Sequence, residues 1–133
     1  MRRIYVFFYG LFMDAELLGT KDIDAQLRQA SLRGFQLLIG DRATLLPSEG
    51  DTVHGMAAAL THHDIDQLYS EPSVREYRPE AVLVTLDSGE TIPALCFNLV
   101  EAPLAKRNSE YATKLHSLAS RLGFPSEYVA RIK

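Results

Sequence analysis

The chain has 133 residues, 47% of them hydrophobic and 23% charged. These are the proportions of one compact domain with its own core rather than of a disordered chain. The formal net charge is -3 and no basic run exceeds Arg2-Arg3 or Lys106-Arg107, which argues against a polyanion partner such as nucleic acid. Cys96 is the only cysteine, so an internal disulfide framework and a thiolate metal cluster are excluded.

Residues 3 to 9, rich in β-branched and aromatic side chains, predict a buried strand. The start is basic and then apolar, as in a signal peptide. However, the apolar run is short, contains Tyr9 and Gly10, and lacks a small-residue cleavage site before Asp14 and Glu16. No stretch approaches the roughly 18 apolar residues of a membrane span. The expectation is a soluble, cytoplasmic protein. "MDAELLG" predicts one short helical turn, with Asp14 as N-cap and Gly19 as its stop. In the next stretch Ile23, Ala25 and Leu27 alternate, which fits a strand or a poor helix, and "GFQLLIG" reads as a strand bracketed by glycines. Pro47, Gly50 and Asp51 mark a turn between strands, and residues 52 to 60 predict the strand that follows.

Thr61 caps a helix with an acidic first turn and with Ile65, Leu68 and Tyr69 on one face. "EPSVREYRP" is a loop. "EAVLVTL" and "TIPALCFNLV" are two strands joined by Asp87-Ser88-Gly89, a strong hairpin signal. Asn108 caps a helix that aligns Tyr111, Leu115, Leu118 and Leu122 and stops at Gly123 before Pro125; "PSEYVARI" is a last short helix. The sum is a single α+β domain over 1–133, with five or six strands, inserted helices and a sheet that curls or closes.

Three places could carry chemistry. At Tyr9-Gly10 a strand ends on a glycine and a helical turn begins, so the amides of Leu11 to Met13 could meet a carboxylate or an oxyanion. The same residues also fit a plain strand-to-turn connection. Glu71 follows the amphipathic helix and precedes Pro72. Packed against Tyr69 and Tyr77, such a carboxylate would have a raised pKa and act as a general base; a solvated loop glutamate is the other reading. Tyr77-Arg78 opens a strand and could orient a polar substrate, with Glu80 competing for any acid–base role. Cys96, inside "IPALCFNL", reads as a core residue rather than a nucleophile. Of the four histidines, His62 and His63 are adjacent and face different ways on a helix, and neither HxH nor HxxxH occurs, so no metal site is expected.

In order along the chain, these fragments resemble the γ-glutamylcyclotransferase-like (AIG2-like) family. "VFFYGLFM" is similar to its opening Tyr-Gly-Ser/Thr-Leu strand and loop, with Leu11 where the family usually has Ser or Thr. "GFQLLIGDRATLLPSEGDTVHGMAAAL" resembles the stretch that leads into a Val-x-Gly strand, and "ALCFN" the closing strand. "IDQLYSEPSVREYRPEAVLV" resembles a Leu-Asp-x-x-Glu segment followed by a Tyr-Arg strand, with Leu68-Tyr69-Ser70-Glu71 departing from the usual Leu-Asp spacing. The resemblance implies a small mixed β-barrel flanked by helices. It also implies cofactor-free cyclisation of a small γ-glutamyl amine or peptide to 5-oxoproline. Glu71 would be the catalytic residue, and Tyr9, Gly10, Leu11, Phe12 and Tyr77 would bind substrate. The alternative is a catalytically inactive relative that binds a small carboxylate metabolite or a partner segment. Neither the amine leaving group nor the oligomeric state follows from the sequence.

Overall fold

The computed structural model describes residues 2–101 and 107–132. Five strands carry the core: β1 (Arg3–Phe8), β2 (Arg28–Ile39), β3 (Ala43–Thr61), β4 (Arg78–Leu86) and β5 (Thr91–Asn98). They close in the order β1-β3-β2-β4-β5. Pairing is antiparallel except at the seam, where β1 and β5 run parallel and meet at Val6↔Leu95. Closure pairs strands that would otherwise be open edges. β3 holds the sheet together because it is long enough to serve two neighbours: Ala57 faces both Phe7 of β1 and Arg28 of β2. Val6, Phe7, Val53, Leu60, Val84 and Cys96 are buried on the two faces of this sheet.

The predicted turn at Pro47–Asp51 is corrected. The chain reverses earlier, at Gly40–Arg42, and Ile39 pairs Ala43 directly across that reversal. The residues after Pro47 form a bulge inside β3: Arg33 pairs Thr52 and Phe35 pairs Pro47, so Ser48 to Asp51 stand opposite Gly34 alone. Gly34 and Gly50, at φ +86 and +87, take the left-handed conformation the bulge needs. A bulge and a turn draw on the same residue types, so composition alone does not separate them.

The helices sit outside the sheet. α1 (Ala15–Gly19) starts at Asp14, whose carboxylate accepts from the Glu16 amide at 2.9 Å. α2 (His62–Tyr69) opens with a capping box: the Thr61 hydroxyl accepts from the Asp64 amide at 3.1 Å, and Asp64 accepts from the Thr61 amide at 3.3 Å. α3 (Ser109–Arg121) is capped by Asn108 and buries Ala112, Leu115, Leu118 and Ala119. The Asn108 amide also donates to the Gly40 carbonyl at 2.7 Å, which ties the start of α3 to the β2–β3 turn. α4 (Ser126–Arg131) closes the fold. No helix of the described residues is long and apolar enough to cross a membrane.

Candidate functional site

A cavity of about 470 Å³ lies where the end of β1 meets the crossing turns. Phe8 to Phe12 form one wall, Lys21 and the β2–β3 turn Asp41–Ala43 another, and Tyr69, Glu71 and Tyr77 a third; Phe97 and Tyr111 complete it. The residues that the resemblance implies, Tyr9, Gly10, Leu11, Phe12, Glu71 and Tyr77, all border this one space.

Aromatic rings pave much of this space. Phe8 meets Phe12 edge-on at 5.9 Å, Phe12 meets Tyr69 edge-on at 5.7 Å, and Tyr69 stacks on Phe97 at 3.9 Å and 14°. Such walls lower the local dielectric and strengthen whatever charge interactions the site makes. Two of the expected binding hydroxyls are already engaged as donors. Tyr9 donates to the Phe97 carbonyl at 2.7 Å, tying the end of β1 to β5, and Tyr77 donates to the Ala43 carbonyl. Burial raises the Tyr9 phenol well above its ordinary value and pushes Tyr77 up to about 12, so both stay neutral.

The opening glycine packs closely against a neighbouring element. Gly10 sits at φ -114 and ψ -151, which other residues also adopt. A Cβ here would collide with the Tyr111 hydroxyl, delivered from the first turn of α3, so that ring would have to shift. Burial pushes the Tyr111 phenol up to about 12, and the adjacent Leu11 amide partly opposes this. The chain after Gly10 is a 3₁₀ turn, Leu11–Met13, in which the Met13 amide donates to the Gly10 carbonyl at 3.1 Å. Of the three amides expected to be free, that one is consumed within the turn. Leu11 and Phe12 precede the turn's first bond.

Glu71 lies just beyond α2, its main-chain carbonyl held by the amides of Val74 at 3.0 Å and Arg75 at 2.9 Å. Its carboxylate does not rest against aromatic rings alone, as expected, but is ion-paired with Lys21. The two side chains are 44% and 19% exposed, so the pair spans the boundary between cavity and solvent. Arg78 is not among the cavity-lining residues and bonds the carbonyls of Arg75 and Tyr77. Glu80, the competing carboxylate, accepts from Asn98 at 2.9 Å and also lies outside the cavity wall. Cys96 is fully buried, and burial pushes its thiol up to about 12, with Glu80 adding and Asn98 opposing. His54 packs against Tyr128 at 5.0 Å, and burial lowers its pKa. Among the described residues no three His, Cys, Asp or Glu side chains converge as metal ligands.

The family model for gamma-glutamyl cyclotransferase, AIG2-like, matches residues 6–116. The chain belongs to this family. The matched segment contains every wall of the cavity, from Phe7 to Tyr111. A solved structure described as a gamma-glutamyl cyclotransferase superposes with a TM-score of 0.85 at 21% identity, over 98% of this chain and 86% of the other. An uncharacterized protein from Homo sapiens gives 0.84 at 21% identity, over 99% and 87%. A gamma-glutamyl cyclotransferase specific to glutathione, from yeast, gives 0.70 at 14% identity, over 99% and 94%. At these identities the likeness is one of fold. No curated protein matches in sequence.

Within this AIG2-like cavity, sequence reasoning missed Lys21, Arg42, Phe97 and Tyr111 as wall residues. Lys21 and Glu71 are fifty positions apart and no local motif links them. Tyr111 was legible only as an apolar position of its helix.

Proposed function

We propose that the protein is a γ-glutamyl cyclotransferase that converts a small γ-glutamyl amine or peptide to 5-oxoproline and a free amine, in the cytoplasm and without a cofactor. One observation carries the reading: the carboxylate-bearing Glu71 and the Gly10 turn border the same aromatic-walled cavity. The reaction is intramolecular. The substrate's α-amine attacks its own γ-carbonyl, the new C–N bond closes the ring, and the C–N bond to the leaving amine breaks. Two protons leave the α-nitrogen between ammonium and lactam; Glu71 relays both to the leaving nitrogen, which departs as an ammonium, so the reaction balances without water. Nucleophile and electrophile share one molecule, which makes orientation the protein's main task. The Phe12 amide at the turn is suited to the developing oxyanion, and neutral phenols around it limit competing charge.

The test is incubation with a panel of γ-glutamyl amino acids, peptides and amines, with assay for 5-oxoproline. Turnover by the wild type and its loss in Glu71→Gln support the reading. Equal inertness of both across the panel overturns it. The alternative is a relative that binds a small carboxylate without turnover. It draws on the Lys21–Glu71 pair, which occupies the proposed base, and on Leu11, which brings no hydroxyl to the turn. Calorimetric binding of γ-glutamyl ligands without product would favour it.

A further inference from the structure

We propose that Lys21 recognises the substrate's α-carboxylate, so that the Lys21–Glu71 ion pair reads the zwitterionic head of a γ-glutamyl compound and restricts substrates to those with a free α-carboxylate. The proposal rests on the γ-glutamyl reading of the same cavity.

The argument is one of charge complementarity. The head of such a substrate places an ammonium and a carboxylate on one carbon. The cavity already holds the matching set in contact, a carboxylate on Glu71 and an ammonium on Lys21. When the head enters, its ammonium docks on Glu71 and its carboxylate on Lys21. Four charges then form two crossed pairs and none is left unpartnered, the condition for a partly buried ion to be tolerated. The Lys21 side chain is mostly buried, at 19% exposure, so a second acceptor compensates an ammonium with limited access to water.

Lys21 is also built into place. Its amide donates to the Leu18 carbonyl at 3.0 Å, and its own carbonyl accepts from Gln67 of α2 at 3.2 Å. The base and its counter-ion are thus mounted on neighbouring elements. Arg42, another cation on the cavity wall, is bound to Glu76 at 3.1 Å, and Lys21 is the one that touches Glu71. With the α-carboxylate on Lys21, the Phe12 amide is left for the carbonyl oxygen that becomes the oxyanion.

The experiment compares each γ-glutamyl substrate with its α-carboxamide counterpart in the wild type, Lys21→Met and Lys21→Arg. It also measures calorimetric binding of 5-oxoproline and of its carboxamide. The wild type is expected to prefer the carboxylate form in kcat/KM. Lys21→Met collapses that preference about tenfold or more, chiefly through KM, and weakens 5-oxoproline but not its carboxamide by a similar factor; Lys21→Arg restores part of both. Because Lys21 enters the fold through its main-chain groups, Lys21→Met should melt like the wild type. An equal loss on both substrates, an unchanged preference, or undiminished 5-oxoproline binding overturns the proposal. If no γ-glutamyl compound turns over, the cyclotransferase reading fails, while the 5-oxoproline comparison still decides the role of Lys21. Absence of 5-oxoproline binding by the wild type overturns it as well.

Discussion

Glu71 stands at the end of a helix, with its main chain held by the following turn and its carboxylate free to change partners. Its removal should act on chemistry and not on folding. On the proposed mechanism Glu71→Gln keeps the shape and loses the proton carrier, so 5-oxoproline formation should fall by about 100-fold or more, with a melting temperature within a few degrees of the wild type. A comparable loss of stability would mean that the carboxylate serves the fold instead. Cys96 makes the opposite case. Its thiol is fully buried and its pKa pushed up to about 12, so almost no thiolate forms near neutrality. The native protein should resist alkylation at pH 8 and react fully once unfolded. Rapid native labelling would contradict the burial described.

The contact between the first turn of α3 and the loop after β1 is a packing interaction between elements, and it can be tested as one. A Cβ at Gly10 would strike the Tyr111 hydroxyl. Gly10→Ala should therefore destabilise by about 1–3 kcal/mol, the usual range for overpacking. In a Tyr111→Phe background the obstructing oxygen is gone, so the same change should cost clearly less. A double-mutant cycle in denaturant measures the coupling, and strict additivity would disprove the contact. The helices were legible in the chain because caps and stops are local: Asp14, Thr61 and Asn108 each satisfy an amide two or three residues ahead. The β2–β3 reversal was not. Pro47, Gly50 and Asp51 resemble a turn in composition, while only pairing across the sheet makes Gly40–Arg42 the hairpin and Ser48–Asp51 the bulge.

For the molecule as a whole, packing phenols around the closed sheet sets the alkaline limit of stability. Burial holds Tyr77, Tyr111 and Tyr128 near 12 and Tyr9 and Tyr69 well above their ordinary value of 10. The folded state then keeps protons that the unfolded chain releases. The resulting stability is complete below about pH 10 and is lost as pH rises toward 12. Denaturation midpoints should fall across that window, and most of the tyrosinate absorbance should rise together with unfolding. Ionisation of these five tyrosines well ahead of unfolding would show that they are accessible.

Read alone, the residues determine the elements and the class of fold. Periodicity, caps and the Asp87-Ser88-Gly89 hairpin depend on neighbours within a few positions, and five apolar strands must bury their faces together. The order of motifs also carries the family resemblance, and with it Glu71 and the Tyr9–Phe12 turn as candidates. Tertiary structure alone decided what those candidates face. Closure of β1 onto β5 brings Tyr9 to Phe97, α3 delivers Tyr111 against Gly10, and the path from α1 to α2 brings Lys21 to Glu71. Contacts between residues fifty to a hundred positions apart leave no periodic trace, because the chain between them is free to vary so long as the sheet closes.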